Sequence, residues 1–158
     1  METNSATPPA TASQQDYADK AAYYAGRAML CYKHELWPEA ANHFGSAMES
    51  LLRIRFGSRG RLDDLVKKFD KDDFFNSIII HDDADQRCVT CYADRARILR
   101  NSVHPACWIV ATKSDVDGSC MLVLLIYHAL IACKGKRIAV FKDSPDPTLK
   151  AMEASGYL

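Results

Sequence analysis

From Tyr17 onward, apolar residues return at three- and four-residue steps: Tyr17, Ala21, Tyr24, Ala28 and the pair Cys31/Tyr32. That spacing matches the turn of an α-helix and predicts one helical face. Trp37-Pro38-Glu39 comes next, and Pro38 suits the first position of a second helix, where its missing N–H has no partner to lose. The second helix carries Ala41, Phe44, Ala47/Met48, Leu51/Leu52 and Arg55, with Gly57 and Gly60 as its stop. A weaker helix is expected over 62–69. The piece 74–80 is apolar but too short for periodicity to assign; Ile78-Ile79-Ile80 favours extended backbone by propensity. Asp82, Asp83 and Asp85 suit the positive end of another helix, running through Val89, Tyr92, Ala96 and Leu99 toward Val103. Pro105 disfavours helical geometry at His104 and should end it there. A turn is expected over 113–119, a last long helix over 119–133 stopped by Gly135, and a short strand or extended tail over 137–141.

Four substantial helices with short connections predict an all-α fold. The expected form is an up-and-down four-helix bundle with short extra helices and an irregular C-terminal tail. Residues 1–15, small, polar and proline-bearing, read as a disordered leader; 16–136 form the bundle and 137–158 the tail. The first two helices also look like a single tetratricopeptide-type repeat. One such repeat cannot bury its own face, and no second copy follows at the period of about 34 residues.

Lysine plus arginine and aspartate plus glutamate stand at 20 each in the 158 residues. No global field therefore draws the chain to nucleic acid or to an anionic membrane, and any such binding must be local. The start lacks the basic and apolar runs of a signal peptide. The longest apolar run, Cys120 to Cys133, has 14 residues, short of the roughly 20 a membrane helix needs. Six cysteines without an export signal suggest reduced thiols and a cytoplasmic protein with no membrane association. No phosphate-binding glycine loop, dinucleotide fingerprint or nucleophile elbow occurs, so no cofactor is expected.

Charge is local in two places. Six basic residues and two acids lie between Arg53 and Lys68, and six aspartates with one lysine between Asp70 and Asp85. Such runs are solvated faces or, for Arg53, Arg55, Arg59 and Arg61, a patch for phosphates. The second place is the stretch ADRARILRNSVHP. On a helix, Arg97, Arg100/Asn101 and His104 stand at i, i+3/i+4 and i+7 and share a face. Arg95 points elsewhere, and Leu99 and Val103 face the core. Guanidiniums hold phosphate or carboxylate in bidentate fashion, and an imidazole moves protons near neutrality. Those are the parts of metal-independent RNA cleavage: a base for the 2′-hydroxyl and cations for the phosphorane. They are equally the parts of a helix C-terminus stabilised by cations.

Cys88, Cys91, His104 and Cys107 string together like zinc ligands. On a helix, however, Cys91 and His104 lie roughly 20 Å apart, and ADRARILRN has no glycine or proline to fold that distance away. No metal site is assigned. SDVDG has Lys113 and Leu124 where a calcium loop needs oxygen ligands. Cys31, Cys120 and Cys133 read as small core residues. So does His128, while His34, His43 and His81 have no matched partner. Trp37 reads as a packing residue at the hinge.

RNSVHP at the end of a helix, before a final apolar helix, resembles the HEPN superfamily (higher eukaryotes and prokaryotes nucleotide-binding). YKHELWPEAANHFGSAMESLLR, residues 32–53, is similar to the front half of that domain, where an aromatic turn precedes an alanine-rich helix ending in an acid and leucines. The likeness covers roughly residues 17–134. It implies a four-helix up-and-down fold, frequent homodimers and, in many members, RNase activity at the dimer interface. The family motif is an arginine, four to six residues, then a histidine, often with a polar residue after the arginine. Here it is split: Arg100 has its polar neighbour Asn101 but only three residues before His104, and Arg97 has six but is followed by Ile98. Many members with loosened motifs are non-catalytic. Glu49 stands where the family's front helix often carries an acid, either pairing with Arg97 or Arg100 or lying exposed. Two expectations result. One is an RNA-binding or RNA-cleaving domain acting through Arg97, Arg100, Asn101 and His104. The other is a non-catalytic module for dimerisation or a protein partner that uses the same stripe.

Overall fold

The computed structural model describes residues 12–80, 86–132 and 138–139, with side chains outside 78–92, 132 and 138–139. The expected leader, the aspartates 82, 83 and 85 and most of the tail lie outside these residues, as do the side chains of Cys88 and Cys91. Six α-helices follow one another: α1 Gln14–Lys33, α2 Trp37–Phe56, α3 Leu62–Lys71, α4 Asp73–Ile78, α5 Gln86–Leu99 and α6 Lys113–Tyr127. The last runs on into a π-helical turn, His128–Ala132. Apart from these, the described residues hold one two-residue parallel pair, β1 Ile79–Ile80 against β2 Ile138–Ala139. The fold is all-α, and the extended propensity of the isoleucine run is expressed only as that pair.

Helix α1 starts at a capping box, with Ser13 accepting from the Asp16 N–H and Asp16 accepting from the Ser13 N–H at 2.7 Å. It ends in a Schellman turn, Leu36 N–H to Cys31 O and Glu35 N–H to Tyr32 O, both 3.0 Å. Glu35 takes the left-handed conformation (φ 58°) that such a turn requires. Pro38 sits in the first turn of α2, and Gly57 (φ 86°) closes that helix. α1 and α2 pack along their length, and Ala21, Ala25 and Ala28 of the first and Ala40, Ala41 and Ala47 of the second are wholly buried. α2 also contacts α3, α5 and α6 and is the hub of the fold. Phe44, Met48, Leu51 and Leu52 are its buried ridge, continued by Leu65 and Phe69 of α3, Leu99 of α5 and Leu122 to Ile126 of α6.

Two expected boundaries are corrected. The turn expected over 113–119 is the first two turns of α6. Thr112 caps it, accepting from the Asp115 N–H at 3.3 Å while Asp115 accepts from the Thr112 N–H at 2.9 Å. Arg95 binds the same carboxylate from α5, at 3.0 and 3.3 Å. Burial raises the Asp115 pKa, but the bonds from Arg95 and Thr112 outweigh it and hold the carboxyl below its ordinary value. The fifth helix, expected to reach Val103, ends at Leu99. Beyond it the chain makes tight turns, Ser102 N–H to Leu99 O at 2.9 Å and His104 N–H to Asn101 O at 2.9 Å. Tertiary bonds hold this turned segment against α2: Asn42 donates its side-chain amide to the Arg100 carbonyl, and the Ser102 hydroxyl donates to Pro38 O at 3.2 Å.

Lys113–Ile131 forms 19 continuous helical residues, long and apolar enough on length and composition to cross a membrane. Val116, Cys120 and Leu122 to Ile126 are nonetheless buried, and the helix packs on α2 and α5. Burial pushes the Cys120 thiol up to about 12, so it is an inert core group.

His43 of α2 is half-buried, its ring stacked on Tyr24 at 6.2 Å and its Nδ1 buried without a partner. Burial, helped by Arg27 and opposed by Glu39, lowers its pKa; burial also lowers that of His128. The folded state thus resists protonation, so this share of stability is complete above about pH 6.5 and falls as the pH drops through that value. Thermal melts between pH 7 and 5 are expected to show a declining midpoint. His43→Leu should make the decline shallower; an unchanged slope in the variant would show that His43 does not drive it.

Candidate functional site

The chain leaves α2 through Arg53, turns at 57–61 and re-enters helix α3 at Leu62. Arg53 fastens this turn by donating to Ser58 O at 3.0 Å and Gly60 O at 3.1 Å. The same guanidinium grips Glu49, one helical turn back, through Nε at 3.1 Å and Nη2 at 2.5 Å. Just past the end of α5, Arg100 donates Nη1 to the other carboxylate oxygen of Glu49. Glu49 is therefore an anion shared by two arginines. Its side chain is 15% exposed and that of Arg100 36%, so this pair is better shielded than an ordinary surface ion pair. The acid pairs with Arg100 across the bundle rather than with Arg97.

Arg97 lies one turn earlier on α5 and is braced by Asp94, at 2.9 Å from Nε and 2.8 Å from Nη2, with Asp63 of α3 at 3.6 Å. Asp63 holds its proton less tightly than an ordinary aspartate, chiefly because Lys67 donates to it, with Arg97 and Arg61 adding positive charge. Arg53, Arg61, Arg97, Arg100 and Asn101 thus border one cavity of about 430 Å³, with Glu49, Asp63 and the start of α3 completing the wall. Four guanidiniums face two carboxylates. The Arg61 side chain has no carboxylate within 4 Å among the described residues. Asp94 offsets Arg97 from beside the wall, so the surplus of positive charge is small, and the guanidinium N–H groups left over are the chemistry that holds a phosphate or carboxylate.

No family model, curated protein or solved structure matches this chain. The functional reading rests on the cavity itself.

Three of the four residues expected to form a stripe, Arg97, Arg100 and Asn101, come together there. His104 does not. It lies past the end of α5, exposed, its Nδ1 accepting the Ala106 N–H at 3.1 Å. The shared face of the stripe assumes a helix through Val103, whereas α5 ends at Leu99 and His104 does not border the cavity. Of the basic run, Arg53 and Arg61 border the cavity. Arg55 is turned aside, bound to Asp72 at 3.0 and 3.2 Å and stacked over Phe74 at 4.6 Å. Arg59 is exposed and does not border it.

Asp63 and Asp94 were not singled out by the sequence. An Asp94–Arg97 spacing of i, i+3 is a helix-face pair and was a readable signal; the contact from Asp63, 34 positions away, had none. Histidine is absent from the cavity wall among the described residues, and arginine does not deprotonate in proteins. The titratable groups of the wall are the carboxylates of Glu49 and Asp63, both engaged by guanidiniums.

Proposed function

We propose that this chain is a HEPN-like helical domain, with α1, α2, α5 and α6 as its up-and-down bundle, that binds single-stranded RNA and does not cleave it. The observation that carries this reading is the convergence of Arg53, Arg61, Arg97 and Arg100 on one cavity that His104 does not border. Guanidiniums that meet in a fixed fork recognise phosphate oxygens. The carboxylates of the wall, Glu49 and Asp63, are engaged by guanidiniums, which supports holding the strand over activating its 2′-hydroxyl.

The test is fluorescence anisotropy on labelled single-stranded RNA at several salt concentrations, with parallel incubations in EDTA. Saturable binding is expected, with a slope of log K against log salt near about −1.4 if two phosphates are neutralised. Arg97→Ala and Arg100→Ala should each weaken binding by about tenfold, and the RNA should stay intact. Cleavage abolished by His104→Ala would overturn the non-catalytic part.

The second reading, a dimerisation module, is favoured by one observation. Just past the site, Trp108 is 95% and Val110 74% exposed, beside Val103 and Ile109, an apolar group of the kind that marks interaction surfaces. No RNA binding, together with a dimer in sedimentation that Arg100→Ala loosens, would move the assignment to that reading.

A further inference from the structure

Glu49, Arg53 and Arg100 have a second side. They also border a smaller cavity of about 160 Å³, reached from the other face of the ion triad. Its far wall is α1, where Tyr17, Lys20 and Tyr24 stand at i, i+3 and i+7 and so share a face. Its near wall is α2, where Ser46 and Ser50 stand one turn apart. The two cavities are neighbours across a common partition.

The serines have fixed polarity. The Ser46 hydroxyl donates its only proton to Asn42 O at 3.1 Å, and the Ser50 hydroxyl donates to Ser46 O at 2.9 Å. Each oxygen then has only lone pairs left to offer. Ser50 is 6% exposed, so a ligand that left its oxygen unmatched would lose solvation without recovering a bond. Two acceptors with committed protons call for an N–H donor, the tyrosine rings bring flat apolar surface, and Lys20 and Arg100 bring positive charge. The volume equals about five water molecules, room for one planar heterocycle.

Resting on the RNA-binding reading above, we propose that this second cavity receives the nucleobase adjoining the phosphate held in the arginine-lined cavity. The Ser46 and Ser50 oxygens favour bases with an exocyclic amino group (adenine, cytosine or guanine) over uracil, whose one ring N–H lies between two carbonyl oxygens that would meet the serine lone pairs.

Anisotropy on equal-length single-stranded oligoadenylate, oligocytidylate, oligouridylate and an abasic ribose-phosphate strand tests this. The adenine and cytosine strands are expected to bind wild type about tenfold more tightly than the uracil and abasic strands. Ser46→Ala, which keeps the helix intact, should reduce that preference severalfold and leave oligouridylate affinity unchanged. Equal affinity for all four strands with loss of all binding in Arg100→Ala would overturn the base subsite and leave the phosphate site standing. A base preference that persists in Ser46→Ala and Ser50→Ala would place selection elsewhere and overturn the proposal. Failure of every strand to bind would overturn both the subsite and the RNA reading.

Discussion

Gly45→Ala is expected to lower the melting temperature by about 3–10 °C, from a cost of about 1–3 kcal/mol for forcing a methyl into a filled contact. A Cβ at Gly45 would stand 2.8 Å from the Arg100 Cβ and 3.2 Å from the Ala96 carbonyl oxygen. Neither is the far end of a flexible side chain, so α5 itself has to retreat from α2. The retreat moves Arg100 away from Glu49 and strains the Asn42 bond to the Arg100 carbonyl, so RNA affinity should fall along with stability. Gly26 is the control. It lies inside α1 with nothing within 4 Å of an added Cβ, and Gly26→Ala should stabilise by about 0.5–1 kcal/mol through helix propensity. Thermal melts of the two variants should move in opposite directions. A Gly45→Ala protein as stable as wild type would mean that α2 and α5 do not approach this closely.

Glu49→Gln is expected to separate two properties that usually fall together. The amide keeps the shape but removes the charge shared by Arg53 and Arg100, leaving two guanidiniums facing each other without an anion between them. Stability should drop by about 1–3 kcal/mol, less than for a fully buried pair because Arg100 is partly solvated. The cavity becomes more positive by one charge, so RNA binding should strengthen and its salt dependence steepen. Circular dichroism melts and anisotropy on the same preparation read both effects. A variant that loses affinity and stability together would show Glu49 to be a ligand-contacting group instead of a competitor for the arginines.

How far the sequence revealed this arrangement differs from element to element. The bounds of α2 were readable because their causes are local: Pro38 at the start, Gly57 at the end, and an apolar step between them that matches the buried ridge from Phe44 to Leu52. The start of α6 was misread although its cause is also local. Thr112-Lys113-Ser114-Asp115 is a capping box, but its polar composition looked like a turn because the apolar pattern begins only at Val116. The end of α5 was misread for a different reason. Pro105 disfavours helix at His104 but does not mark Leu99 as the last residue, and the turned segment is held by Asn42, 58 positions away. No local pattern encodes that contact.

The site divides along the same line. Arg97, Arg100 and Asn101 fall within about one turn, so helical spacing groups them and they border one cavity even though the helix ends at Leu99. His104 was grouped by extending that spacing beyond the point where it applies. The basic run supplied Arg53 and Arg61 as candidates, but their selection over Arg55 and Arg59 depends on where Asp72 and the 57–61 turn lie in space. The serine and tyrosine faces of the smaller cavity show helical spacing in the sequence, yet they acquire meaning only once α1 and α2 are set side by side.

The most direct measurement compares wild type, Arg100→Ala and His104→Ala for binding to the same single-stranded RNA at low salt. An arginine cavity that works without the imidazole predicts that Arg100→Ala loses about tenfold in affinity while His104→Ala binds like wild type. Loss of binding in His104→Ala with Arg100→Ala unaffected would contradict it.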